Sequence, residues 1–338
     1  MDAEVGNRKK RSGPAEGEIV KRTLEHFLII LMFTTALPAL AQRVLVFPFT
    51  QQDGFPSSRW IGTGLAVGLN EAMDRGKMGF VPFESLQKLY DQEGLVSTPD
   101  FSLPARVGLA HQLGVAYLVC GRYRVKKGEI IANLGVYDVS GDLKPMGEWQ
   151  EKEKLDHLLL ITEALARHLF DTFKIPWKEG ERVPPAAFES YIRGRIVDDS
   201  MLKEVYFKRA VELAPDYYDA LCHLALVLKS EGKVSRATSI LNGLASKHFS
   251  KAYLALATLG DIKLKEGKLK EARALYLRSL KNGESPEGHL GMARLFIYEG
   301  KFDKASKELL VVQRFGTHLD EVDALQVELA KRKAPEKS

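Results

Sequence analysis

Gly62, Gly64 and Gly68 could cradle a phosphate, since glycine lets backbone amides close on an anion where a helix begins. Their spacing is G-x-G-x-x-x-G, one residue off the dinucleotide pattern, and they lie well beyond the nearest strand-like run instead of directly after it. No GKS or GKT occurs. The three glycines therefore read as points of close helix packing. Sulfur chemistry is confined to Cys120 and Cys222. One falls in a strand pattern and the other in a helical pattern, neither beside the His and carboxylate that would activate a thiol, so both read as small buried apolar residues. An oxidising compartment would permit a bridge, but two cysteines do not make a disulfide framework. The 8 histidines are scattered, and there is no HExxH and no Cys-x-x-Cys. His157, for example, begins an amphipathic stretch and reads as a boundary residue. No catalytic residue, cofactor-binding residue or metal ligand is assigned, and the expectation is a protein that is not an enzyme.

The elements that position these residues must fit a chain of 338, which has room for two modest domains. Hydrophobic residues at 45% and charged residues at 28% are ordinary for a folded protein. The net charge of +5 is small, and Lys and Arg form no stripe, which argues against a nucleic-acid partner.

The amino terminus reads as a targeting segment over 1–41. Arg8-Lys9-Lys10-Arg11 and Lys21-Arg22 precede an apolar run from Phe27 to Leu37, and Pro38 leads into the small-x-small pattern Ala39-Leu40-Ala41. The run is shorter than the ~20 apolar residues of a spanning helix. The expectation is a signal peptide cleaved after Ala41, placing the protein in the periplasm or cell envelope. With no Cys near the cut, a lipid anchor is not expected. The rival is an uncleaved amino-terminal anchor extended by Val44-Leu45-Val46-Phe47, and membrane contact is expected only through it. A start near Val20 would make the signal compact, with Lys21-Arg22 as its charged region.

Arg43 to Phe49 predicts a buried strand ended by Pro48. After a loop from Gln51 to Ser58, Leu65, Leu69, Ala72 and Met73 recur at helical spacing. A short strand over Gly79–Pro82 and helices over 84–92 and 103–113 follow. Alternation through Tyr117, Val119, Gly121, Tyr123 and Val125, a turn at Lys126-Lys127-Gly128, and alternation through Ile130, Ala132, Leu134 and Val136 predict a β-hairpin. A third strand ends near Trp149, and an amphipathic helix over 155–173 closes the unit. The strand Val44–Phe49, the Gly64-Leu65 helix, the block Leu113–Gly121 and the turns at Gly128 and Gly141 resemble the TolB amino-terminal-like domain, whose relatives include envelope components of the FlgO and CsgG kind. The likeness covers 43–173. It implies an α+β fold without catalytic residues, of a kind that often precedes tetratricopeptide (TPR) arrays in bacterial proteins.

Beyond a linker over 174–185 the chain repeats itself. Glu231-Gly232-Lys233-Val234-x-x-Ala237 recurs as Glu266-Gly267-Lys268-Leu269-x-x-Ala272 and Glu299-Gly300-Lys301-Phe302-x-x-Ala305. The glycines are 35 and 33 residues apart, bracketing the TPR period of about 34. Glycine ends the first helix of each pair, the alanine admits close approach, and Leu241, Tyr276 and Leu309 fill the groove to the next repeat. A shortened earlier unit runs from Tyr191 through Phe207 and Ala210 to Pro215. Phe249 stands where the next terminal Pro is usual, and Leu244 where Ala is usual. Leu319–Ala330 reads as a capping helix and Lys331–Ser338 as a tail.

The fold class expected is therefore an α+β amino-terminal domain over 42–173, a mixed sheet with a β-meander and packed helices. An all-α TPR superhelix over 186–330 follows it. Resemblance to TPR arrays implies a concave, partner-binding face. The positions expected on it are Asp219, Cys222, Leu226 and Lys229, then Leu254, Asp261 and Lys265, then Arg294, Ile297 and Tyr298. They form no Lys/Arg clamp for a terminal carboxylate; a partner's extended or helical segment suits such a groove better. The function expected is an envelope adaptor that grips a protein partner. The alternative is a sensor whose α+β domain binds a small ligand, and homo-oligomers stay open.

Overall fold

The computed structural model describes residues 43–53, 58–95, 101–180, 182–282, 285–315 and 318–333. The expected signal segment with its cut after Ala41, and the last residues of the expected tail, lie outside the described residues. No helix among the described residues is long and apolar enough to cross a membrane.

Val44–Val46 forms β1, buried throughout, because it lies parallel to the central strand and is covered on both faces. Thr50–Gln51 forms a short β2 on the same neighbour. The expected strand at Gly79–Pro82 is reduced to one bridge, Val44 to Phe80. The hairpin is β3 (Tyr117–Lys126) and β4 (Glu129–Asp138), in register from Tyr117 opposite Asp138 to Lys126 opposite Glu129. Lys127 and Gly128 have φ of 53° and 77°, the two left-handed residues that a two-residue turn of matching twist requires. β5 (Lys144–Lys154) pairs antiparallel with β4, giving the order β1-β3-β4-β5.

Helices α1 (Trp60–Arg75) and α4 (Leu158–Thr172) cover one sheet face, with Leu65, Leu69, Leu165 and Leu169 against Val119, Leu134 and Val136. Helices α2 (Phe83–Gln92) and α3 (Leu103–Gln112) bring Leu86, Leu89 and Leu109 to Leu45 and Leu118 on the other. The expected start of α4 at 155 is corrected, since its helical bonding begins only at Leu158.

Four helical hairpins and a last helix follow: α5 (Pro185–Ile196) with α6 (Ser200–Leu213), α7 (Tyr218–Ser230) with α8 (Val234–Leu244), α9 (Ala252–Lys265) with α10 (Leu269–Asn282), and α11 (Pro286–Tyr298) with α12 (Phe302–Phe315), then α13 (Leu319–Lys333). Helix α13 runs three residues past the expected cap end, so the first part of the expected tail is helical. Gly232, Gly267 and Gly300 have φ of 78°, 74° and 71°, which ends each first helix. Ala237, Ala272 and Ala305 are fully buried where the helices cross. The array does not stand apart from the α+β unit. Phe188, Tyr191 and Ile192 of α5 share one hydrophobic core with α1, and this core continues through α7 to Leu275 of α10.

Candidate functional site

The first helices of the hairpins are α5, α7, α9 and α11, and the repeat places Leu226, Asp261 and Arg294 at equivalent points along them. Arg195 fills that place in the first unit. Two of the four are bonded to each other. Asp261 accepts Lys229 Nζ at 3.0 Å, the Tyr276 hydroxyl at 2.9 Å and Arg294 Nη1 at 2.7 Å. The other arm of Arg294 reaches Glu321 of α13. Lys229, Asp261 and Arg294, expected to meet a partner, thus hold adjacent repeats together.

Other expected contacts are corrected by burial. Cys222 is 0% and Ile297 4% exposed, because both point into the inter-helix core. Asp219 is buried as well and accepts the Ser250 hydroxyl at 2.7 and 2.8 Å; burial raises its carboxyl above the usual range. Leu254 is half-buried against the core. Leu226 lines an open cleft, while Lys265 is exposed and Tyr298 is 62% exposed. Of the expected positions, Lys265 and Tyr298 are the exposed ones, while Leu226 is half-buried in the wall of the cleft.

The α+β unit packs against the first helices of the array. Lys251 bonds Glu71 at 2.7 Å and Asp74 at 2.9 Å, and the Tyr253 hydroxyl donates to Asp74 at 3.2 Å. Arg195 bonds Glu71 with one arm and Glu84 at 2.6 Å with the other. At the far end of the array, Arg43 donates to the Phe315 carbonyl and Lys88 pairs with Asp320. Burial alone would raise the Glu71 carboxyl, but Lys251 and Arg195 outweigh it and bring it down to about 2. Burial would likewise weaken the Lys251 ammonium, yet Asp74 and Glu71 raise its pKa well above the ordinary value. His223, on α7 beside Arg195, is held neutral by burial and by the Arg195 and Lys251 charges. It stacks on Phe207 with ring centroids 5.5 Å apart.

Between α2 and helices α5 to α7 lies a cleft of about 370 Å³. Phe207, Leu226 and Val227 give it an apolar floor, and Glu84, Arg195, Asp198 and Lys203 a charged rim. Such a surface suits a partner segment with an apolar anchor and polar flanks.

The three glycines serve packing. A Cβ on Gly62 would lie 2.1 Å from the Phe49 carbonyl oxygen, and one on Gly68 2.6 Å from Thr162 Cγ2. Sequence reasoning missed Arg195 because the first unit is short, although its alignment with Leu226 could have revealed it. The Glu71–Lys251 pair carries no local signal.

No protein-family model matches the chain, and no curated protein matches it. Among solved structures it is similar to PilF of Pseudomonas aeruginosa, with 15% identity and a TM-score of 0.37 over 52% of this chain and 76% of that one. It is also similar to the LpoB C-terminal domain from Salmonella enterica, with 17% identity and a TM-score of 0.24 over 34% of this chain and 84% of that one.

Proposed function

We propose that this chain is an exported envelope adaptor, a TolB amino-terminal-like α+β unit fused to TPR repeats, that grips a segment of a protein partner along the open part of its concave face. The observation that carries this reading is the cleft with an apolar floor that includes Leu226 and a charged rim, with Lys265 and Tyr298 exposed on the first helices that follow. A partner is expected to anchor apolar side chains there, where desolvation gives most binding energy, with the rim setting orientation. The export signal read in the first 41 residues supports an envelope location. The test is cross-linking and affinity capture of the full chain from native envelope fractions, against Leu226→Glu and Tyr298→Ala variants. A stoichiometric protein lost in both variants supports the reading. Capture that neither substitution weakens removes the concave face from it.

The cleft also favours a second reading. Glu84 of the α+β unit and Arg195 of the repeats share its rim, so a small ligand there would touch both halves and could relay its state. A ligand-dependent thermal shift of the full chain, abolished by Lys203→Glu, is the expected sign.

A further inference from the structure

β5 ends the sheet. Of its 11 residues all but Met146 pair with β4 on one side, and among the described residues no strand covers the other. A strand edge this long offers a row of unpaired amides and carbonyls, and proteins commonly protect such edges with charge. Here the charges have an order. Glu148, Gln150 and Lys152 stand exposed on the solvent face, while Gly147, Trp149, Glu151 and Glu153 are half-buried on the alternate positions. On that inner side Glu151 bonds His168 at 2.7 Å and Trp149 stacks on the same ring.

Read against itself in the antiparallel direction, this pattern is self-complementary. We propose that two copies of this chain dimerise by pairing their β5 edges about a two-fold axis through Gln150. Glu148 of each copy then lies opposite Lys152 of the other, and the two Gln150 side chains face one another. On the inner face Trp149 lies opposite Glu151 and Gly147 opposite Glu153, so no like charges lie directly opposite one another. Other registers are poorer. Centring the axis on Glu151 or Lys152 sets like charges against each other, and centring it on Trp149 loses both ion pairs. The paired stretch ends at a bulge between Gly147 and Pro145.

The groups that would pair already have light attachments. Lys152 bonds Glu129 at 2.8 Å, Glu148 accepts the Tyr137 hydroxyl at 3.3 Å, and Gln150 donates to Asn133 at 2.7 Å. All three lie across the sheet face and hold the side chains upright without closing the edge. The ammonium of Lys152 keeps donors for a second carboxylate.

The experiment is sedimentation velocity on the full chain over a concentration series. The wild type is expected to dimerise. Glu148→Lys and Lys152→Glu each place two like-charge pairs across the axis and should weaken the dimer roughly tenfold or more. The exchanged variant, Glu148→Lys with Lys152→Glu, restores opposite charges and should recover it. Gln150→Cys should cross-link between copies through a short bis-maleimide, with the wild type as control for Cys120. Thermal melts check that each variant folds. A wild type that stays monomeric overturns the proposal. So does a dimer that both single reversals leave intact, or one that the exchange fails to recover.

Discussion

Lys251, at the entrance to α9, bonds Glu71 of α1 at 2.7 Å with both side chains 7% exposed. The contact ties the third hairpin to the α+β unit, and Asp74 and Arg195 complete a sheltered ring of charge. Removing one member strands the others in a poorly solvated place. Lys251→Met should therefore cost about 3–5 kcal/mol, seen as a lower urea midpoint with an unchanged slope. Adding Glu71→Gln should return part of that loss, because residues in one network couple. Strictly additive losses would refute the coupling.

Acid should loosen the same junction in two steps. His223 is neutral when folded but titrates near 6.5 when unfolded, so protons favour the unfolded chain and stability falls as pH drops below about 6.5. Glu71 titrates at about 2 when folded, against 4.5 as its ordinary value. Its contribution is present above 4.5 and is lost as pH falls towards 2, about 3 kcal/mol in all. His318 works the other way. Its bond to Glu287 raises its pKa, so its contribution is full at low pH and is lost as pH rises through the raised value. The difference between wild type and His223→Phe isolates the first step. Urea midpoints from pH 7 to 5 should fall less steeply in the variant, and parallel curves would count against a neutral His223.

These two predictions rest on contacts that no stretch of sequence announces. The repeats were legible because their determinants are local: a left-handed glycine, an alanine at the crossing and a large residue after it recur with the period. The β3–β4 hairpin was legible for the same reason. β2 was not, since two residues form no pattern. Cys222 and Ile297 sit at repeat positions that face a groove in outline, but the neighbouring helices close over them, and which positions stay open depends on how tightly hairpins stack. Nor could periodicity show that α1 and α5 share a core, because that depends on residues far apart in the chain.

Stacking can be tested at Tyr276, whose ring lies between Gly260 and Gly291. A Cβ on Gly291 would come 2.1 Å from Tyr276 Cε1, and one on Gly260 2.6 Å from it. Gly291→Ala should destabilise by about 1–3 kcal/mol through overpacking, although alanine favours helix. Pairing it with Tyr276→Leu should relieve the clash, at the expense of the hydroxyl bond to Asp261. If Gly291→Ala alone raises the melting temperature, the close approach is wrong.

Arg294 and Tyr298 lie one turn apart on α11 and should separate stability from binding. Arg294 joins Asp261 to Glu321, bridging the third hairpin to the last helix, and burial around it is outweighed by those two carboxylates. Arg294→Ala should lower the melting temperature and speed hydrogen exchange in α13, because it leaves Asp261 and Glu321 without their shared cation. Tyr298 is 62% exposed, so Tyr298→Ala should change stability by no more than about 0.5 kcal/mol. Any partner lost on Tyr298→Ala is then lost for want of contact, whereas loss on Arg294→Ala cannot be told from unfolding of the cap. An equal fall in melting temperature for both variants would show that Tyr298 is part of the packing and remove it from the binding face.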